Sequence, residues 1–446
     1  MALRRVTLYD TTLRDGSQAE GIAFSLADMV RVAKVLDQFG IDFIEGGWPG
    51  SNPKHMDFFN AIRKEKLRHA LVAAFGSTRH AKNTASGDAN LRALVDCKAP
   101  VATIFGKSWD LHVTDALRVS LGENLSMIET SLAYLKARIP TVFYDAEHFF
   151  DAYKANPAYA LKTLEAAASG GAECLYLCDT NGGSLPSEVL AITQTVRAHL
   201  PDVALGIHTH NDANMAEANA IMAVEAGVVS VQGTINGIGE RCGNCDLVSV
   251  IAALELKMGR PCVGRKALAR LTELSRYVYE LANMPPLDRQ PYVGKSAFAH
   301  KGGVHVSAVA RNSRTYEHVE PESVGNERRI LVSELSGRSN LVARSRVDLS
   351  KDPEGMKKVL DELMRLERDG YQFESADASF DLLVRRSLGL YKPFFKLHGF
   401  RVIAENSDAG PSSSEATVKL EVNGRMEHTA CESADGPVSA LDGALR

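Results

Sequence analysis

The sequence predicts an α/β fold: a (β/α)8 TIM barrel, followed by helical subdomains and a partial α+β unit at the C-terminal end. Three observations carry this. Short β-rich runs alternate with amphipathic helical stretches eight times over roughly the first 255 residues. Polar residues able to do chemistry gather where the β-rich runs end, which is where a barrel presents its reactive groups. No GxGxxG follows a first strand and no phosphate-loop motif occurs, which disfavours an open dinucleotide-binding sheet.

The strand candidates, in order, are 6–10, 42–47, 70–76, 101–107, 141–148, 174–183, 203–210 and 229–237. The helix signals between them are clearest at 25–40, where Ser25 reads as an N-cap with Asp28 three residues on. There Met29, Val32, Leu36 and Phe39 form one apolar face, and Gly40 supplies the stop. At the predicted strand ends lie Asp10, Arg14 and Asp15, then Glu45, Lys107, Asp145 and Glu147. Asp179, Thr180, His208 and His210 follow, and after strand eight comes "NGIGERCGNCD".

The most pointed of these runs is "LGIHTHNDAN" (205–214). Side chains alternate along a strand, so His208 and His210 share a face. Two imidazoles so placed bind a metal, join a polar network or sit at a wet strand end, and the spacing alone leaves all three open. Convergence of the other polar ends at the same mouth favours the metal.

Composition narrows the class. In 446 residues, 45% are hydrophobic and 24% charged, as in an ordinary soluble globular protein, and the net charge of −4 argues against a nucleic-acid or anionic-membrane partner. The start, "MALRRVTLYD", has no apolar signal region, and no apolar stretch reaches membrane length. Seven widely spread cysteines do not form a disulfide framework, and Cys242 and Cys245 make a single CxxC that reads as two reduced thiols near a loop. The expectation is a reduced, cytoplasmic protein.

Beyond residue 260 the character changes. Residues 261–370 read as linker subdomains, with a charged helix at 351–370, and residues 371–446 as a separate unit. In that unit "FKLHGFRVIAE" and "EATVKLEVNG" are β-like, "NSDAGPSSSE" between them reads as a flexible loop, and Asn-Gly closes the second run as a hairpin turn. The unit reads as cut short at "ALDGALR".

Four stretches carry the chemistry: "DTTLRDGSQAEG" (10–21), "HTHND" (208–212), "GIGERCGN" (237–244) and "GGVH" (302–305). Together they resemble the DRE-TIM metallolyase superfamily. Within it they resemble the Claisen-condensing acyltransferases that include the isopropylmalate, homocitrate and citramalate synthases. Residues 44–59 and 145–160 look most like the citramalate-forming branch. Two positions depart from the family pattern. The lysine usual eleven residues after the glutamine of "RDGxQ" is Met29, where a surface or packing contact changes. The glycine usual four residues after the second histidine is Asn214, where a local turn is at stake.

The resemblance implies a divalent metal (Zn²⁺, Mn²⁺ or Mg²⁺) held by Asp15, His208, His210 and Asn244, with acetyl-CoA as co-substrate. Arg14 would hold the 2-oxo acid and steady charge on its keto oxygen. Glu240 would act near the thioester, with a salt bridge to Arg241 or Arg14 as its structural alternative. Thr180 would bind the substrate carboxylate, and Glu147 would line the oxo-acid pocket. His305, with Tyr316, would approach from the neighbouring subunit of a homodimer, to take the acetyl proton or to position a water or the substrate. The 371–446 unit resembles the first part of a regulatory domain that senses an end-product amino acid, and intact feedback is not expected of a partial one. The activity implied is condensation of acetyl-CoA with pyruvate to (R)-citramalate, opening the pyruvate route to isoleucine. The rivals are the same reaction on 3-methyl-2-oxobutanoate or 2-oxoglutarate, a lyase or aldolase on the same barrel, and a barrel that binds without turnover.

Overall fold

A computed structural model describes residues 5–331, 341, 345–349, 351–374, 376–406 and 412–446. The first four residues of the opening run, parts of the 261–370 segment and residues 407–411 of the expected loop lie outside the described residues. The chain divides into two compact units, residues 1–300 with 308–329, and residues 301–307 with 330–446.

The first unit is a closed barrel of eight parallel strands: β1 (Thr7–Asp10), β2 (Phe43–Gly47), β3 (Leu71–Ser77), β4 (Val101–Lys107), β5 (Thr141–Glu147), β6 (Cys174–Asp179), β7 (Ala204–Thr209) and β8 (Ser230–Gly233). It closes where β8 pairs with β1, Thr7 opposite Ser230 and Asp10 opposite Gly233. Each expected strand is present. The sixth and eighth stop several residues short of the sequence expectation, and the residues beyond them turn into loops at the barrel mouth. Inward side chains fill the barrel. Tyr9, Phe143 and Tyr176 pack edge to face, with Tyr9 and Tyr176 ring centroids 5.6 Å apart.

The helix Leu26–Phe39 forms as its sequence dictates. Ser25 Oγ accepts from Asp28 N–H, Asp28 returns the bond to Ser25 N–H, and Gly40 closes the helix at φ 103°. Such a cap contributes about 1 kcal/mol. Met29 is 1% exposed in the barrel-to-helix core, so the departure at this position is a packing change.

In the second unit, the helix Pro353–Arg368 buries Met356, Val359 and Leu363 against Phe380, Leu383 and Val384 of the helix Asp377–Ser387. Strands Lys396–Glu405, Ser413–Val422 and Arg425–Ser433 form an antiparallel sheet. The expected hairpin turn is there, with Asn423 and Gly424 both at positive φ (50° and 77°), as a two-residue turn matching strand twist requires. The helix Pro437–Leu445 sets Ala440 and Ala444 on Ala416, Val418 and Leu420. None of the seven cysteines is in a disulfide. Among the described residues no helix is long and apolar enough to cross a membrane.

Candidate active site

Two chain segments and one strand end build the centre of the barrel mouth. After β1 the backbone turns back on itself, with Gly16 N–H donating to Thr11 C=O, and this turn delivers Arg14 and Asp15. Alternation along β7 presents His208, and His210 follows just past the strand. A loop after β8 folds back over it: Asn211 N–H donates to Gly243 C=O, and Cys245 N–H to Thr209 C=O, which pins Asn244 beside His210. That loop requires glycine at 243. Its φ is +94°, and a Cβ there would lie 2.1 Å from the Gly237 carbonyl oxygen.

The donor atoms converge. Asp15 Oδ2 lies 3.4 Å from His208 Nε2 and 3.8 Å from His210 Nε2, and the two Nε2 atoms are 3.2 Å apart. Asn244 Nδ2 donates to Asp15 Oδ2 at 2.9 Å, and its own Oδ1 is buried without a hydrogen-bond partner. Burial alone would raise the Asp15 carboxyl, but the Arg14 guanidinium beside it and the Asn244 amide that donates to it hold it below the usual carboxylate range. Burial lowers His208, and burial with the neighbouring His208 takes His210 down to about 3. A carboxylate and two neutral imidazoles therefore face one point. Ligand bonds of about 2.0–2.2 Å at tetrahedral angles would separate such atoms by roughly 3.3–3.6 Å, within a few tenths of an ångström of the 3.2, 3.4 and 3.8 Å seen, so the set fits a divalent cation. Among the described residues this is the one cluster of three His, Cys, Asp or Glu groups placed to hold a metal. Cys242 is exposed while Cys245 is buried, so the CxxC does not form a second one.

Arg14 sits against this cluster. Its Nη1 is 3.1 Å from Asp15 Oδ1, its Nε donates to Glu45 Oε1 at 2.5 Å, and its guanidinium lies 3.7 Å over the Phe75 ring. Phe75 stacks on Phe105, and Trp48 packs edge-on against both, so an aromatic wall borders the guanidinium. On the rim at β5 and β6, Glu147 pairs with Lys107, and Thr180 Oγ1 accepts from His148 N–H at 2.9 Å.

The structure thus brings together Asp15, His208, His210, Asn244 and Arg14. Glu240 is exposed in the loop after β8, 3.8 Å from the guanidinium of Arg241, which itself forks onto Asp212. His305 lies on the helix Gly303–Arg311, in the part of the chain assigned to the second unit, and Tyr316 is 46% exposed in the first. Asn214 takes φ +57°, the left-handed conformation a glycine would supply there, and asparagine is the side chain that tolerates it best, so the turn is kept. Sequence reasoning missed Tyr9 and Gln232. Tyr9 donates to Glu45 Oε2 at 2.6 Å, and Gln232 meets His208 Nδ1 at 2.9 Å. The strand register was the only signal that could have found Gln232, which stands beside His208 across β7 and β8.

Comparison with known proteins agrees along the whole chain. Residues 5–278 match the HMGL-like family, 292–370 the homocitrate synthase post-HMGL domain-like family, and 374–446 the LeuA allosteric (dimerisation) domain. An (R)-citramalate synthase of Geobacter sulfurreducens is 58% identical, and one of Aquifex aeolicus 52%; each match covers 99% of this chain and 84% of the relative. The HMG-CoA lyase crystal structure from Bacillus subtilis superposes with a TM-score of 0.55 at 21% identity, covering 65% of this chain and 98% of that one, which shows the shared barrel.

Proposed function

The chain belongs to the HMGL-like family and within it to the (R)-citramalate synthases, and from that premise we propose how its residues divide the reaction. The substrates are acetyl-CoA, pyruvate and water; the products are (R)-citramalate and free CoA. The acetyl methyl carbon loses a proton and bonds to the keto carbon of pyruvate, whose oxygen gains a proton. Water then breaks the thioester C–S bond and CoA leaves as the thiol. This is the pyruvate entry to isoleucine, run in the cytoplasm.

Asp15, His208 and His210, with Asn244, would hold a divalent cation. When bound, that cation supplies Lewis-acid polarisation of the oxo acid. Arg14 orients the oxo acid and offers N–H donors to the oxygen on which charge develops. Its partial burial matters, because a guanidinium largely screened from water acts in a lower dielectric. The wall of Trp48, Phe75 and Phe105 beside Arg14 supports a small substrate side chain, such as the methyl of pyruvate. Thr180 Oγ1 already accepts from His148 N–H, which leaves its own O–H proton to donate to the substrate carboxylate, and Glu147 lines the same rim. Glu240 positions groups near the thioester. With both imidazoles of the cluster turned to the cation, the proton acceptor comes from elsewhere: His305, with Tyr316, from a second copy in a homodimer. The LeuA dimerisation-domain match over 374–446 supports that assembly.

The observation that carries the reading is the convergence of Asp15, His208 and His210 within a chain so similar to (R)-citramalate synthases. It is tested by thiol release from acetyl-CoA across a panel of 2-oxo acids, before and after chelation. Fastest release with pyruvate, lost on chelation and restored by added metal, is expected. Fastest release with 3-methyl-2-oxobutanoate would overturn the substrate assignment, and release that survives complete metal removal would overturn the metal's role.

A further inference from the structure

One buried chain of hydrogen bonds beside the Asp15, His208 and His210 cluster has no part in the division of labour above. Gln232 lies on β8 beside His208 on β7, fully buried, and its amide reaches both ways. Its Nε2 donates to Asp145 Oδ1 at 3.0 Å, and its Oε1 stands 2.9 Å from His208 Nδ1. An amide has one donor end and one acceptor end. Asp145, on β5, takes the donor end, so the acceptor end faces the imidazole. An amide oxygen cannot donate, and the imidazole must therefore carry its proton on Nδ1. In a neutral ring that leaves the lone pair on Nε2, the atom turned toward Asp15 Oδ2 and His210 Nε2. The opposite tautomer would set two lone pairs against each other at 2.9 Å and aim an N–H at the point where the cation belongs. His210 has no such lock, since its Nδ1 is buried with no hydrogen-bond partner.

We infer that Gln232, held by Asp145, is a positioning residue that fixes the tautomer of His208 and so sets how tightly the site grips a divalent cation. The inference rests on the reading of Asp15, His208 and His210 as metal ligands. The outer partners of metal-bound imidazoles typically govern affinity by 10- to 100-fold, because they fix ring orientation and raise ligand basicity.

Two measurements on the full chain test it. In metal-free wild type, two-bond ¹⁵N–¹H spectra of labelled histidine should show His208 protonated on Nδ1, the signal being assigned by its loss in His208→Ala. Titration with Mn²⁺ alone, followed by electron paramagnetic resonance, should show Gln232→Leu binding about 10- to 100-fold more weakly than wild type. Gln232→Glu, which keeps an acceptor against Nδ1 and can share one proton with Asp145 in place of the lost N–H, should bind within a few-fold of wild type. A purely structural role would instead lower the melting temperature of both variants and leave the affinity of the folded protein unchanged. Protonation on Nε2 in wild type would overturn the inference even if Gln232→Leu failed to fold. Equal Mn²⁺ affinity in wild type and Gln232→Leu would overturn the positioning role alone, whereas wild type that binds no Mn²⁺ would overturn the metal reading on which it stands.

Discussion

Arg14 is held from three sides, and each contact narrows where its guanidinium can point. Glu45 takes Nε, Asp15 faces Nη1, and the Phe75 ring lies flat beneath it. Glu45 is itself fixed, because Tyr9 donates to its second oxygen and Tyr9 in turn meets Thr103 at 2.8 Å. Burial pushes the Glu45 carboxyl up, and Arg14 and Tyr9 offset that only in part, so it stays above the ordinary carboxylate value. Glu45→Gln keeps an oxygen for Nε but removes the charge and sets an NH₂ against the Tyr9 hydroxyl. Misplacing a substrate-orienting group by about 1 Å costs up to about 100-fold in rate. The expected outcome is a fall in kcat of about 10- to 100-fold with Mn²⁺ affinity within a few-fold of wild type; kcat within twofold would show that Asp15 and Phe75 suffice to aim Arg14.

At the scale of elements, the barrel was legible because its strands are buried on both faces and announce themselves as apolar runs ending in polar groups. Asp15, His208 and His210 could be read as candidates for the same reason: each marks a strand end or the turn after one. What was hidden depends on register and on loops. Gln232 sits inside an unremarkable run, "SVQG", and becomes meaningful only once β8 is laid beside β7. The loop after β8 shows a similar limit. Its motif marks Asn244, but the sequence does not show that Asp246 caps the next helix, accepting from Val248 N–H at 2.9 Å, while Gln290 donates to its other oxygen at 3.0 Å. Burial raises this carboxyl from 3.8 to about 6, against the opposing pull of those donors. The folded value lies above the unfolded one, so the stability contributed by the protonated acid is full below pH 3.8 and is lost as pH rises through about 6. An Asp246→Asn variant escapes that loss. Its Tm relative to wild type should climb between about pH 4 and about pH 6 and then hold level, as read by calorimetry across that range; a difference independent of pH would show that folding does not raise this carboxyl.

At the scale of the whole molecule, the proposed chemistry is divided between a barrel and a histidine that the chain assigns to its other compact unit. The barrel cluster offers a carboxylate and two imidazoles turned to one point, with a guanidinium against the carboxylate, and each imidazole nitrogen facing that point is engaged by the cation in the proposed reading. The acetyl proton then needs an acceptor from outside the cluster. If that acceptor is His305 of a second copy, two dead chains can repair each other. Asp15→Asn removes the cation grip but leaves His305 intact, and His305→Ala does the reverse. Each variant alone should release almost no CoA. In a symmetric dimer, mixing equal amounts under exchanging conditions makes half the dimers mixed, and each mixed dimer regains one complete site of two, so activity should return to roughly a quarter of wild type. Recovery near that level, absent when each variant is mixed with itself, supports a shared site. No recovery after proven subunit exchange would mean that no site is shared between copies; should His305→Ala alone keep its activity, the proton acceptor would have to be sought on the barrel rim, where His112 and His148 stand with ring centroids 4.4 Å apart.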